Sequence, residues 1–213
     1  PVIDSKTYKL ISWLKMIVPY EVNDKNYLVA ANSMMTRNVD TGVKVLREKI
    51  EAKFSRTEQE LYNRLVPQAL GGYNTNPSYD TMKKATELCY DVCDTEMISQ
   101  TMSNLDLGVM LVTKDIKHQK RMYEKLLKRG VKKKDIYMLE SGKSIVLTDE
   151  TVKKAGVDYK VVIVPIKRAE GYTLTRLSVQ ITSVYPSNQA TRTQIEGRIN
   201  RIGQNADQVK YIT

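Results

Sequence analysis

From Leu105 onward the sequence alternates short apolar runs with helical stretches, and this alternation limits the fold more than any other feature. Leu107–Val112, Ile136–Leu139, Val161–Ile166, Val179–Val184 and Val209–Ile212 are apolar runs of strand length. Between the first two, Asp115 is placed to cap a helix over Ile116–Arg129, which Gly130 ends. Strand and helix in alternation is the pattern of a parallel sheet with crossover helices, so an α/β fold is expected, with Val209–Ile212 as an edge strand. Ligands bind at the strand tips of such sheets. The loops after Val112, Leu139, Ile166 and Val184 are therefore the places to look for chemistry.

Upstream of Leu105 the pattern is mainly helical. Leu10, Leu14, Ile17 and Val18 recur at helical spacing and Pro19 ends the run; a second helical stretch begins near Asp24 and reaches Met35. Val43–Phe54 reads as a strand. Ser55 with Glu58 is a capping-box signature for a helix that buries Leu61, Tyr62 and Leu65. Pro67–Pro77, with Gly71, Gly72, Asn74 and Asn76, reads as a loop, and Tyr79 to about Gln100 as a helix without assigned chemistry.

The most informative motif is QIEGRINRIGQ, Gln194–Gln204. As one helix it carries Gln194, Arg198 and Arg201 on a single face and Ile195, Ile199 and Ile202 on another. The isoleucines would dock into a core while two guanidiniums, the groups best matched to polyphosphate, project into a cleft. An ordinary amphipathic helix with solvated arginines would show the same pair. Gly197 inside that helix would cost about 1 kcal/mol relative to alanine, which points to a close approach of backbone or ligand. Gly203 reads as the helix stop.

Three loops offer polar groups to phosphate. KRAEGYTLT, residues 167–175, combines Gly171 with the hydroxyls of Thr173 and Thr175. Thr113 and Lys114 follow the first strand, and Ser141, Lys143 and Ser144 follow the second. Polar residues that merely end strands would look alike at each position. SGKS at 141–144, followed by IVLTDE, imitates a phosphate-binding loop and its acidic strand. A true P-loop needs glycine five positions before Gly142, where Tyr137 stands, and it must lead into a helix rather than Ile145, Val146 and Leu147. A complete small P-loop NTPase is thereby excluded.

Composition narrows the partners. A net charge of +10 gives a field that attracts polyanions, and basic residues cluster between Lys114 and Lys134. A solvated helix face would account for that run as well. No apolar run approaches bilayer length and the first residues are not a signal peptide, so an intracellular, membrane-free chain is expected. Cys89 and Cys93 share a helix face with no second Cys/His pair to complete a zinc site, so free buried thiols and no metal are expected. His118, the only histidine, lies among lysines and is expected at the surface.

The string Gln-x-x-Gly-Arg-x-x-Arg-x-Gly-Gln closely resembles the last motif of superfamily 2 helicases, and its Arg-Ile-Gly-Gln ending is similar to the Swi/Snf-like branch. KRAEGYTLT stands where that family has its motif V, although Lys167, Arg168 and Glu170 replace small or apolar residues and Thr173 stands where asparagine is usual. Thr113 and Lys114 are positioned like motif IV. Val43–Val66 resembles the entry into the second motor domain, and MMTR, ending at Arg37, looks like the exit from the first. The resemblance implies a C-terminal RecA-like domain in which Arg198 and Arg201 are arginine fingers. Gln194, Gly171 and Glu170 would be nucleotide contacts, with Thr113, Lys114, Thr173 and Thr175, and by position Ser141 and Lys143, on the nucleic-acid backbone. ATP and Mg2+ would be held mainly by a preceding RecA-like domain of the same protein, and the track would be nucleic acid, by analogy double-stranded DNA.

On this reading residues 1–42 are a helical linker or tail of the preceding domain, and residues 43–213 are the second RecA-like domain with a helical insertion or connector at about 67–104. The start at Pro1 and the missing P-loop lead to the expectation of a piece of a longer, monomeric motor. The divergent motif V would suit a viral or fast-evolving relative. The competing reading is a non-catalytic basic RecA-like module that binds nucleic acid or protein.

Overall fold

The computed structural model describes residues 5–17, 21–23, 25–27, 41–71, 78–140, 143–168, 172–183 and 188–213. They fall into two units, 1–40 and 41–213. In the first, helix α1 (Ser5–Ile17) buries Ile11 and Leu14 with Val22, and Leu10 and Tyr27 pack at their margin. The helix expected from Asp24 to Met35 lies almost wholly outside the described residues, as does Arg37.

The second unit is organised by a six-stranded sheet in the order β1 (Lys44–Glu48), β8 (Gln208–Ile212), β7 (Val179–Thr182), β2 (Val109–Thr113), β5 (Val161–Pro165), β3 (Ile136–Met138), with every pair parallel. Strands β2, β5 and β7 are buried at every position, which requires cover on both faces and explains their unbroken apolar character. Val109, Leu111, Val161, Ile163, Val179 and Ile181 turn to one face. There helix α3 (Tyr79–Ser103) contributes Met97 and Ile98, and helix α4 (Ile116–Lys128) contributes Met122 and Leu126. Met110, Val112, Val162 and Val164 turn to the other face. They meet Tyr172, Leu174 and Leu177 of the chain after β5, Ile195 of helix α6 (Gln189–Glu196) and Val152 of helix α5 (Asp149–Ala155). This is the parallel α/β sheet with crossover helices that the alternation leads one to expect, here with helices on both faces.

Side-chain hydrogen bonds fix the helices over the sheet. Asp115 caps α4 by accepting from the His118 N–H at 2.8 Å, and Gln119 donates its amide to the carbonyls of Leu139 and Ile163 at 3.1 and 2.8 Å. Ser55 and Glu58 form the expected capping box of helix α2 (Arg56–Ala69), which lies against α3. α2 carries Pro67 in its last turn, so the loop starts later than the sequence suggests; residues 72–77 are outside the described set.

Four expectations are corrected. Strand β8 lies between β1 and β7 and not at an edge, because β1 returns from far upstream to pair with it. The strand read over Val43–Phe54 pairs only from Lys44 to Glu48; Phe54 instead stacks on Tyr62 at 5.0 Å. His118 is 7% exposed, not superficial. Cys89 and Cys93 are free but only half-buried.

The entry into β2 depends on one backbone conformation. Gly108 has φ +71°, and a Cβ there would stand 2.8 Å from Leu177 Cδ2 and 3.3 Å from the Arg176 carbonyl oxygen. Gly108→Ala is expected to destabilise the second unit by about 2–3 kcal/mol, read as a lower urea midpoint. An unchanged midpoint would mean that this junction shifts freely.

Candidate functional site

The arginine motif does not form one helix. Helix α6 is capped by Asn188, whose side chain accepts from the Ala190 N–H at 2.8 Å, and it ends at Glu196. Gly197 is therefore its C-cap and not a mid-helix residue. Its φ of −67° makes no demand for glycine, but a Cβ would lie 3.1 Å from the Thr193 carbonyl oxygen. Beyond Gly197 the chain is held by tertiary bonds. The Tyr211 hydroxyl donates to the Glu196 carbonyl at 3.1 Å, and the Thr41 hydroxyl donates to Asn200 Oδ1 at 2.7 Å. The Gln204 amide donates to the Leu177 and Ile199 carbonyls at 2.8 and 3.0 Å. Because the helical period stops at Glu196, Ile195 and Ile199 are buried while Ile202, expected in the core, is 74% exposed.

The two arginines nevertheless reach one place. After β5 the chain makes a 3-10 turn, Ile166–Arg168, and re-emerges as β6 (Tyr172–Thr173), which pairs with β4 (Ile145–Val146) in a small parallel ribbon. That β4 is a strand accords with rejecting SGKS as a P-loop. Arg198 Nη1 donates to the Tyr172 carbonyl at 3.1 Å, with the guanidinium carbon 5.0 Å from the Tyr172 ring centre. Arg201 Nη1 donates to Thr173 Oγ1 at 3.2 Å. Arg198 is half-buried and Arg201 exposed; neither has a carboxylate partner among the described residues. The Leu174 N–H donates to the Arg198 carbonyl at 2.9 Å, so the ribbon and the arginine turn are tied through backbone as well.

Of the buried side-chain polar atoms without a partner among the described residues, Tyr172 Oη, Thr175 Oγ1 and Arg198 Nε lie in these segments, and the others belong to the Gln180 amide on β7. Burial pushes the Tyr172 phenol well above its ordinary range, against a smaller lowering by Arg198. Reading along the sequence does not single out Tyr172. It lies within the YTLT string, but only the ribbon pairing reveals that its ring and carbonyl receive Arg198.

The other expected site residues are dispersed. Gln194 is exposed on α6 and has no side-chain partner among the described residues. Thr113 is 1% exposed and its hydroxyl is turned inward, 3.4 Å from the Val164 carbonyl. Lys114 is exposed; its ammonium donates to the Tyr90 hydroxyl at 3.1 Å. Lys143 pairs with Glu140, whose hydrogen bond and charge raise the lysine above its ordinary value. Glu170, Gly171 and Ser141 lie outside the described residues.

No protein-family model and no curated protein matches the sequence significantly. Among solved structures, the chain is similar to the C-terminal part of the Fun30 ATPase domain, at 10% identity over 80% of this chain and 84% of that one, TM-score 0.49. It is similar to T4 UvsW at 10% identity over 81% of this chain and 32% of that one, TM-score 0.47. It is also similar to S. cerevisiae Dbp5 bound to RNA and ADP BeF3, at 12% identity over 99% of this chain and 49% of that one, TM-score 0.40. With every TM-score below 0.5, these likenesses bear on neither function nor site. None of the described helices is long and apolar enough to cross a membrane.

Proposed function

We propose that this chain is the C-terminal RecA-like half of a nucleic-acid-dependent ATPase, a superfamily 2 helicase or translocase of Swi/Snf-like kind. The observation that carries the reading is the convergence of Arg198 and Arg201 on β6, with no acid neutralising either among the described residues. Two un-neutralised guanidiniums fit the oxygens of a polyphosphate. This donor set is cationic, so it suits the γ-phosphate of ATP and not Mg2+. Magnesium and the remaining phosphates would be held by a preceding RecA-like domain.

In the closed motor Arg201, exposed at the end of its turn, reaches the transferring phosphoryl group and stabilises its charge. Arg198, braced on the Tyr172 ring and carbonyl, sets the position of the turn and adds a second positive charge. Gln194, Glu170 and Gly171 complete the nucleotide face. Lys114, Lys143, Ser141 and Thr173, with the backbone at Thr113 and Thr175, grip the phosphates of the track, by analogy double-stranded DNA.

The test is ATP hydrolysis with and without duplex DNA, comparing this chain with one extended upstream through a domain that bears a P-loop. Hydrolysis by the extended chain alone, stimulated by DNA, is expected. No hydrolysis by either would leave the non-catalytic binding module as the reading that stands.

A further inference from the structure

On the sheet face opposite the arginine pair, α3 and the start of α4 enclose a groove of about 400 Å³. One wall is a single face of α3, with Tyr79, Met82, Lys83 and Tyr90 at helical spacing. The other wall carries Lys114, Lys117 and Arg121. Tyr79 is 75% and Met82 45% exposed, so apolar surface lies open beside the lysines. Lys83 and Lys117 are exposed and have no partner among the described residues. Two carboxylates also face the groove. Asp115 is engaged as the α4 cap and Glu87 has no partner among the described residues, so four lining cations face two lining acids, with Arg121 paired to the buried Asp94 beneath.

The floor is preorganised from beneath. Asp94, 1% exposed on α3, accepts from His118 Nε2 at 2.8 Å and from Arg121 Nε at 2.6 Å. His118 Nδ1 in turn accepts from the Lys114 N–H at 3.2 Å, which fixes the backbone that projects Lys114 onto Tyr90. Arg121, which lines the groove, is held by its Nε, and no hydrogen bond engages its two terminal nitrogens among the described residues.

We propose that this groove binds a single unpaired nucleic-acid strand, with phosphates against Lys83, Lys114, Lys117 and Arg121 and a base against Tyr79 and Met82. Interleaved aromatics and cations are the chemistry by which proteins hold single strands without reading sequence. A base inside a duplex presents no face to Tyr79, so the apolar wall selects unpaired nucleotides. The proposal extends the strand-gripping part of the motor reading and rests on it, yet shares only Lys114 with it and uses neither arginine of the phosphate site.

The experiment is fluorescence anisotropy of a short labelled oligothymidylate titrated with the full chain. Tyr79→Ala removes no charge and, at an exposed position, leaves the fold intact by circular dichroism; it is expected to weaken binding by about tenfold. Lys83→Ala with Lys117→Ala is expected to weaken binding and to lower the slope of log affinity against log salt by roughly one to one and a half. Lys132→Ala with Lys133→Ala removes the same charge elsewhere and is expected to have a much smaller effect. Wild-type binding by Tyr79→Ala, equal losses from the two lysine pairs, or a duplex whose binding weakens as much as the single strand's on Tyr79→Ala would each overturn the groove. Displacement of the strand by polyglutamate, with Tyr79→Ala binding as wild type, would overturn it in favour of an acidic protein partner. Arg201→Ala is expected to bind the strand normally. Loss on Tyr79→Ala without hydrolysis by the extended chain therefore removes the motor reading alone, and hydrolysis with an insensitive Tyr79 removes the groove alone.

Discussion

Arg201→Ala, in a chain extended through a P-loop domain, is expected to lower ATP turnover by about a thousandfold or more while leaving nucleic-acid binding in place. The choice of residue rests on its contacts. Arg201 is exposed and makes one side-chain hydrogen bond, to Thr173 Oγ1, so its loss removes little that holds the fold. Arg198 is a poorer probe: it lies over the Tyr172 ring and bonds the Tyr172 carbonyl, and alanine there would also loosen the ribbon that carries Thr173. Arg201→Lys keeps the charge without the planar fork and is expected to recover only part of the rate. Single-turnover hydrolysis at saturating ATP and DNA distinguishes a lost phosphoryl-transfer step from weakened binding. Full turnover by Arg201→Ala would remove the finger assignment.

The central strands were legible because burial on both faces leaves no polar residue to interrupt Val109–Val112 or Val161–Val164. The place of β8 was not, since Val209, Tyr211 and Ile212 would look the same at an edge as in the interior; the distant Lys44–Glu48 segment decides it. The end of α6 was likewise set from outside. Glu196 gives its carbonyl to the Tyr211 hydroxyl, and Thr41 and Gln204 hold the next turns, so Ile202 leaves the helical period that reading along the sequence gave it. Arg198 and Arg201 still reach one ribbon because β6 supplies a meeting point that helical periodicity does not. His118 is a different case. With Asp115 as the cap, positions 118, 119, 122 and 126 form one face and all four are buried, so the spacing already placed the histidine inward despite its lysine neighbours.

Asp94 is where the second unit is expected to be most vulnerable to a single substitution. Its carboxylate is buried, and it is faced from α4 by His118, Arg121 and, at 3.7 Å, the Lys125 ammonium, with Asp91 on its own helix one turn away. Asp94→Ala strands these donors and is expected to cost about 3–5 kcal/mol, toward the lower end because Arg121 and Lys125 are partly exposed and can recruit water. Asp94→Asn keeps an acceptor for His118 but turns an amide N–H toward Arg121, so an intermediate loss is expected. Acidity supplies the check on mechanism. Burial alone would raise the Asp94 carboxyl, but the hydrogen bond from His118, then the hydrogen bond and charge of Arg121, outweigh it and hold the group below its ordinary value. A folded value below the unfolded one means that the contribution is complete above the unfolded value, about 4, and is lost as pH falls through the folded value. Urea midpoints of the wild type and Asp94→Asn are therefore expected to lie furthest apart near neutrality and to converge in acid. A difference that stayed constant from neutral pH into acid would mean that Asp94 acts by shape and hydrogen bonding, and not by its charge.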